Sequence, residues 1–280
     1  MEDTSSIAII GAGNIGGALA KGLVKTDKYE PENIYLTRRS IGKLDPYGQE
    51  GFKITDDNIE AVKESSVIIL CVEPQQAKPV LEEIAGSIDA EEQLLISVVS
   101  DLPIQDMQKH FDKDIKIVRA MPNTAIFIGE SMTCLSASST RENYLSIAEN
   151  IFDTVGETLI IEENQMTGAT ALGACGIAFF LRAIRAASQG GIEIGFHSEE
   201  SLKIAANTAK GAAALLTHTG NHPEQEIDRV TTPRGCTIAG LNQMEHEGFS
   251  SALIKGIKTS ANKATQLYTS RQEQKEKSEE

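Results

Sequence analysis

Short runs of aliphatic and β-branched residues punctuate the first half of the chain, with longer amphipathic stretches between them. Residues 7–10, 33–37, 67–72, 94–99 and 116–119 read as strands, and 132–136 and 158–161 as two more flanking a helix over about 140–153. Most of these runs are apolar throughout and do not alternate, as expected of strands covered on both faces. A strand–helix–strand succession of this kind predicts a largely parallel sheet with helices on either side, which the last two strands extend.

After residue 162 the pattern changes. Between 167 and 220 alanine, glycine, leucine and isoleucine recur in helical periods with scarcely a strand signal. The stretch 169–195 is small-sided all round, which predicts burial on most sides, either within its own domain or against another subunit. A last helical region is expected over about 238–268, and 271–280 has no apolar residue to anchor it and is expected to be disordered. The expected organisation is an α/β domain over 1–162, an all-α domain over 163–270 and a tail over 271–280.

Composition narrows the function. The chain has 280 residues, of which 40% are hydrophobic and 24% charged, within the globular range. With 26 basic against 40 acidic residues, the net charge of −14 gives no bulk attraction to nucleic acid. The longest apolar stretches are strand-sized, against the roughly 20 residues of a membrane helix, and no leader-like segment precedes the first strand. A cytoplasmic protein with neither a nucleic acid nor a membrane as partner is expected. Cys71, Cys134, Cys175 and Cys236 form no CxxC pair, so reduced thiols are expected. His218 and His222 lack a third ligand, and no metal site is expected.

The candidate chemistry begins directly after the first strand. Gly11-Ala12-Gly13-Asn14-Ile15-Gly16 joins that strand to a helix, the context in which a GxGxxG pattern reads as a dinucleotide-binding turn. Gly11 permits the turn, Gly13 lets a pyrophosphate approach the backbone, Gly16 allows the helix to pack closely, and the helix N-terminus favours the phosphates. This defines a Rossmann-like first domain. The second strand ends in Thr37 followed by Arg38, Arg39 and Ser40, where NAD-binding folds usually carry a carboxylate. Arginines and a hydroxyl suit the extra 2′-phosphate, so NADPH is expected in preference to NADH. Cys71, Val72 and Pro74 close the apolar run 67–72, at the sheet edge where ligands of such folds bind. The residues alone read Asn58 as the N-cap of the helix that follows it.

Beyond these features, the IGAGNIGGAL loop at 10–19, the RAMPNT segment at 119–124, the 170–172 segment, the 207–216 helix and the VTTPRGCTIAGL loop at 230–241 together make the chain resemble the pyrroline-5-carboxylate reductases. The resemblance implies NADPH-dependent reduction of a cyclic imine to proline, the last step of proline biosynthesis, and a C-terminal dimerisation domain. It also implies an interlocked homodimer, often built into larger rings such as a decamer. By resemblance the substrate carboxylate is held by Thr232, Gly235, Cys236 and Thr237, with the Thr237 hydroxyl beside the substrate nitrogen as the catalytic contact. Asn58 is placed beside the adenosine ribose, and Glu163 near the nicotinamide. The residues alone leave an ordinary helix cap open for Thr237. The chain departs from the family pattern at 173–178, where serines and a proline are absent, at Glu73 in place of lysine, and at Arg234 in place of glycine. These departures leave two alternatives: a related reductase of another cyclic imine or short hydroxy acid, and a catalytically silent NADP-binding paralogue.

Overall fold

The computed structural model describes residues 6–26, 28–137 and 142–279, with side chains described to residue 266 apart from 142 and 143. Residues 138–141, where the sequence expects the helix over about 140–153 to begin, lie outside the described residues. The chain divides into two units, Met1–Ala174 with Ala261–Glu280, and Cys175–Ser260.

The first unit is built on eight strands: β1 Ile7–Ile10, β2 Ile34–Thr37, β3 Lys53–Thr55, β4 Val67–Leu70, β5 Leu94–Ser97, β6 Lys116–Met121, β7 Ser131–Ala137 and β8 Gly156–Ile160. Helices α1 Asn14–Lys25, α2 Asp45–Gln49, α3 Asn58–Lys63, α4 Pro74–Ile84, α5 Ile104–Gln108, α6 Glu142–Phe152 and α7 Met166–Ala169 connect and follow them. The sheet order is β3-β2-β1-β4-β5-β6-β7-β8. Successive side chains on a strand point to opposite faces, so one run feeds two cores. Ile7, Ile9, Ile34, Leu36, Val67 and Ile69 pack on one face with α1 residues Leu19 and Leu23. Ala8, Ile10, Tyr35, Ile68 and Leu70 pack on the other with Ala77, Leu81 and Ile84 of α4. Each valine, leucine or isoleucine among them contributes about 1.5–3 kcal/mol by leaving water.

One join differs from the expected parallel sheet. β7 runs antiparallel to β6, with Arg119 opposite Ser136, and β8 then returns parallel to β7. The connection from Met121 to Ser131 is too short for a parallel crossover, which takes a dozen or more residues.

The second unit contains α8 Gly176–Glu193, α9 Ser198–Thr219, α10 Pro223–Val230 and α11 Cys236–His246, and α12 Phe249–Glu279 begins in it. α8 and α9 are joined at their small faces, where the Ser201 hydroxyl donates to the Ser188 carbonyl at 2.6 Å. Of the two covers expected for 169–195, its own domain does not provide one throughout: Phe180, Leu181, Ile192 and Ile194 are exposed in the single chain. A correction concerns apolar length. The helical stretch Glu163–Glu193 is long and apolar enough to cross a membrane by length and composition, with a mean hydropathy of 1.5 in its most apolar window. Its glycines, threonines and glutamines break the run of apolar letters while leaving the mean high. The backbone of 271–279, expected to be disordered, continues α12 as helix. That segment holds only residues without a Gly or Pro breaker, most of them strong helix formers.

Candidate active site

The order β3-β2-β1-β4-β5 turns about the β1–β4 pair, and in doubly wound sheets ligands bind where the winding reverses. The glycine loop stands there. Gly11 has φ +91°, and a Cβ on it would lie 2.7 Å from Val72 Cγ1 and 2.9 Å from the Cys71 carbonyl oxygen. Neither the backbone conformation nor the space admits a side chain. Gly16 is buried, and a Cβ there would come within 2.9 Å of both the Gly11 carbonyl oxygen and Ile9 Cγ2. Gly13 is different: a Cβ would find nothing nearer than the Gly11 carbonyl oxygen at 3.9 Å. Glycine at 13 is therefore not required by the protein's own packing, and a side chain there would stand in the cleft that Gly13 lines. No side chain caps α1 at Gly13 and its first turn holds no acidic residue, so the leading N–H groups remain available to phosphate oxygens.

The cleft has a volume of about 670 Å³. It brings together Gly11, Gly13, Thr37, Arg38, Arg39, Ser40, Asn58, Cys71 and Val72 of the expected cofactor residues, and adds Lys43, which the sequence reading passes over. Asn14 lines an adjoining groove that shares Gly13, Arg38 and Lys43. Ile15 packs against the core and Pro74 opens α4, so neither presents its side chain to the cleft. The floor is hydrogen-bonded: Thr37 Oγ1 donates to Asn58 Oδ1 at 2.6 Å, and the Asn58 amide donates to Glu83 at 3.0 Å. The helix-cap alternative for Asn58 is corrected, because Asp57 Oδ1 accepts the N–H groups of Ile59 and Glu60 and caps α3. Asp57, one residue earlier and on extended backbone, places a charged acceptor on those donors, while Asn58 is already the first helical residue. Burial pushes the Cys71 thiol up to about 12, so it lines the cleft as an uncharged group. Glu73 lines the cleft and accepts from the Gln75 side chain.

A second cavity of about 290 Å³ lies at the ends of β5 and β6, lined by Asp101, Pro103, Arg119, Glu163, Asn164, Thr167 and Thr170. Arg119 is 7% exposed, and its Nη1 donates to Glu163 Oε1 at 3.1 Å. The same oxygen accepts the Ile104 N–H at 2.8 Å, so Glu163 ties the ends of three segments together. Asp101 holds φ +59°, a left-handed conformation rare outside glycine.

The loop before α11 belongs to the second unit. The Gly235 N–H closes a turn onto the Thr232 carbonyl at 2.9 Å, and Gly235 is the N-cap of α11 with no side-chain cap bond. Cys236 and Thr237 are the first two helical residues, and Thr237 is part-buried while Thr232 and Cys236 are exposed. The helix-cap alternative for Thr237 is thus corrected: the helix begins two residues earlier than the sequence suggests, at Cys236, and Thr237 sits inside its first turn. Arg234, inside the turn, has φ +60°. His218 bonds to the Ala214 carbonyl at the end of α9, and His222 caps α10.

A glycine loop at a winding reversal with cations at the end of β2 defines a dinucleotide-binding α/β unit, and the chain adds to it a helical unit whose α11 carries a hydroxyl in its first turn. Residues 163–267 match the pyrroline-5-carboxylate reductase dimerisation family, and residues 6–101 match the NADP oxidoreductase coenzyme F420-dependent family. Pyrroline-5-carboxylate reductase 2 of Dictyostelium discoideum is 45% identical over 281 residues, covering 95% of this chain and 94% of its own length. Pyrroline-5-carboxylate reductase 1 of the same organism is 50% identical over 97% of this chain, which spans only about half, 51%, of that relative. The solved pyrroline-5-carboxylate reductase of Coxiella burnetii superposes with a TM-score of 0.89 at 29% identity, covering 94% of this chain and 98% of its own. The chain belongs to the pyrroline-5-carboxylate reductase family.

Proposed function

We propose that the chain reduces 1-pyrroline-5-carboxylate to proline with NADPH, that the glycine-loop cleft holds the cofactor and that the 231–237 turn holds the substrate. The observation that carries the reading is the cleft itself: a backbone open to pyrophosphate at Gly13, with Arg38, Arg39 and Ser40 rather than a carboxylate after β2, in a chain of this family. The N–H groups of Asn14, Ile15 and Gly16 face phosphate, Asn58 and Thr37 hold the adenosine side, and Val72 and Cys71 form an apolar wall. When bound, the reduced nicotinamide supplies a hydride to the ring carbon of the imine. The C=N π pair passes to nitrogen, and the protonated imine becomes a secondary amine. Such an imine takes its proton from water near neutral pH, so no side-chain acid is required. The chain contributes by positioning, which lowers barriers by several kcal/mol. The uncapped N–H groups at the start of α11 receive the substrate carboxylate, and Thr237 Oγ1 accepts the N–H of the protonated ring.

Purified protein is expected to consume NADPH absorbance when given racemic 1-pyrroline-5-carboxylate. Intact NADPH binding without turnover would point to a silent paralogue, and turnover of other imines alone to a related reductase.

Arg234 sharpens the substrate reading. A non-glycine residue in the left-handed region costs about 1 kcal/mol or more, which a glycine there would avoid. We assign its retention to charge beside the substrate carboxylate. Arg234→Gly is expected to raise stability by about 0.5–1 kcal/mol while raising KM for the imine about fivefold. Unchanged KM in steady-state kinetics would remove the charge role.

The exposed apolar face of α8 we assign to a second copy of the chain, since Arg182 and Arg185 interrupt it where a lipid-facing helix would be apolar and the matched family is one of dimerisation. Light scattering is expected to give a homodimer or a multiple of it such as a decamer, and Phe180→Glu with Leu181→Glu to give the 30.2 kDa monomer. A wild-type monomer would refute the assignment. All four cysteines are unpaired, and we assign the protein to a reducing compartment, the cytoplasm.

A further inference from the structure

The two cations that stand nearest each other in sequence at the cofactor cleft do different work, and a third cation enters from outside the motif. Arg38 is tied to the protein: its Nη1 donates to the Ala12 carbonyl at 3.2 Å, in the middle of the glycine loop. The same end of β2 also takes the N–H groups of Gly11 and Ala12 on the Thr37 carbonyl, at 3.2 and 2.8 Å. Arg38 is therefore a strap across the loop that faces pyrophosphate. Lys43, by contrast, makes no ion pair among the described residues, and it lines the cleft as well as the adjoining groove. Its backbone is fixed, because it ends the 3-10 turn Ile41–Lys43, its N–H donates to the Ser40 carbonyl at 3.0 Å, and Leu44 beside it is fully buried. A long cationic side chain thus springs from a rigid point one short turn after Ser40. The acidic residues of the cleft, Asp56, Glu73 and Glu83, come from other segments, after β3, before α4 and at the end of α4.

We propose that Lys43 is a further cofactor-specificity residue, placing its ammonium with Arg39 and Ser40 on the 2′-phosphate, and that Arg38 is a positioning residue that holds the glycine loop in shape for either dinucleotide. The proposal rests on the NADPH reading above and predicts a division that a merely structural role would not produce. A phosphate contact affects only the phosphorylated cofactor, whereas a loop strap affects the pyrophosphate common to both.

Calorimetric titration of the full chain with NADP⁺ and with NAD⁺ tests it without reference to turnover. Lys43→Gln is expected to weaken NADP⁺ about fivefold at low salt and to leave NAD⁺ within twofold, and Lys43→Arg to restore NADP⁺ binding. Arg38→Met is expected to weaken both dinucleotides by similar factors. The assignment of Lys43 is overturned if Lys43→Gln binds NADP⁺ like the wild type or loses NAD⁺ in parallel. The assignment of Arg38 is overturned if Arg38→Met loses NADP⁺ alone. Equal binding of NAD⁺ and NADP⁺ by the wild type, seen before any variant is made, would overturn the NADPH reading and this division with it.

Discussion

Gly13→Val is expected to weaken NADPH binding at least about a hundredfold while lowering the unfolding midpoint by only a few degrees. Beyond its chain neighbours, nothing among the described residues comes nearer than 3.9 Å to a Cβ built on Gly13, and the rest of the side chain would project into the cleft that Gly13 lines. The bound pyrophosphate needs that space, because it must come against the backbone there for the α1 N–H groups to act on it. A hundredfold loss corresponds to about 2.7 kcal/mol, the scale of two charge-assisted hydrogen bonds. Gly16→Val is the contrasting variant. Its Cβ would press on the Gly11 carbonyl oxygen and on Ile9 Cγ2 at 2.9 Å, inside a core with no slack, so it is expected to lose stability first and binding as a consequence. Calorimetric titration and thermal unfolding of both variants separate the cases. A Gly13→Val protein that bound NADPH normally would show that the cofactor lies elsewhere.

Thr237→Val is expected to lower kcat/KM for the imine about a hundredfold and to leave NADPH binding unchanged. Valine keeps the branched shape within the first turn of α11 and removes only the hydroxyl. A single well-placed hydrogen-bonding group at the reacting atoms contributes on the order of 10²–10³ in rate. Because Gly235 and not Thr237 caps the helix, loss of this hydroxyl has no reason to destabilise α11. Thr237→Ser is expected to retain most of the activity. If Thr237→Val turned over normally but unfolded more easily, the hydroxyl would be structural.

The parts of this fold that the sequence makes legible are those where one local rule decides. Strands such as 67–70 are apolar on both faces because helices cover both faces, and the helix after Gly11-Ala12-Gly13 is announced by its turn. β3 is harder to see, being three residues long with Lys53 exposed. The reversal of β7 depends on the length of the preceding connection, which hydrophobic pattern does not report. Within the site, Arg38 and Arg39 stand out by type and position, whereas Lys43 is one lysine in a surface turn until the burial of Leu44 fixes where it starts. The left-handed Arg234 and Asp101 follow from tertiary context and leave no local sign. Composition marks 169–195 as a segment that needs covering, and only the folded chain shows that its own residues leave Phe180 and Leu181 open.

The central claim, that this chain passes a hydride from NADPH to the imine carbon of 1-pyrroline-5-carboxylate, is tested most directly with NADPH deuterated at nicotinamide C4 on the transferring face. Mass spectrometry of the product is predicted to show proline one mass unit heavier, with the deuterium at C5. Unlabelled proline, or deuterium that never leaves the cofactor, would contradict it.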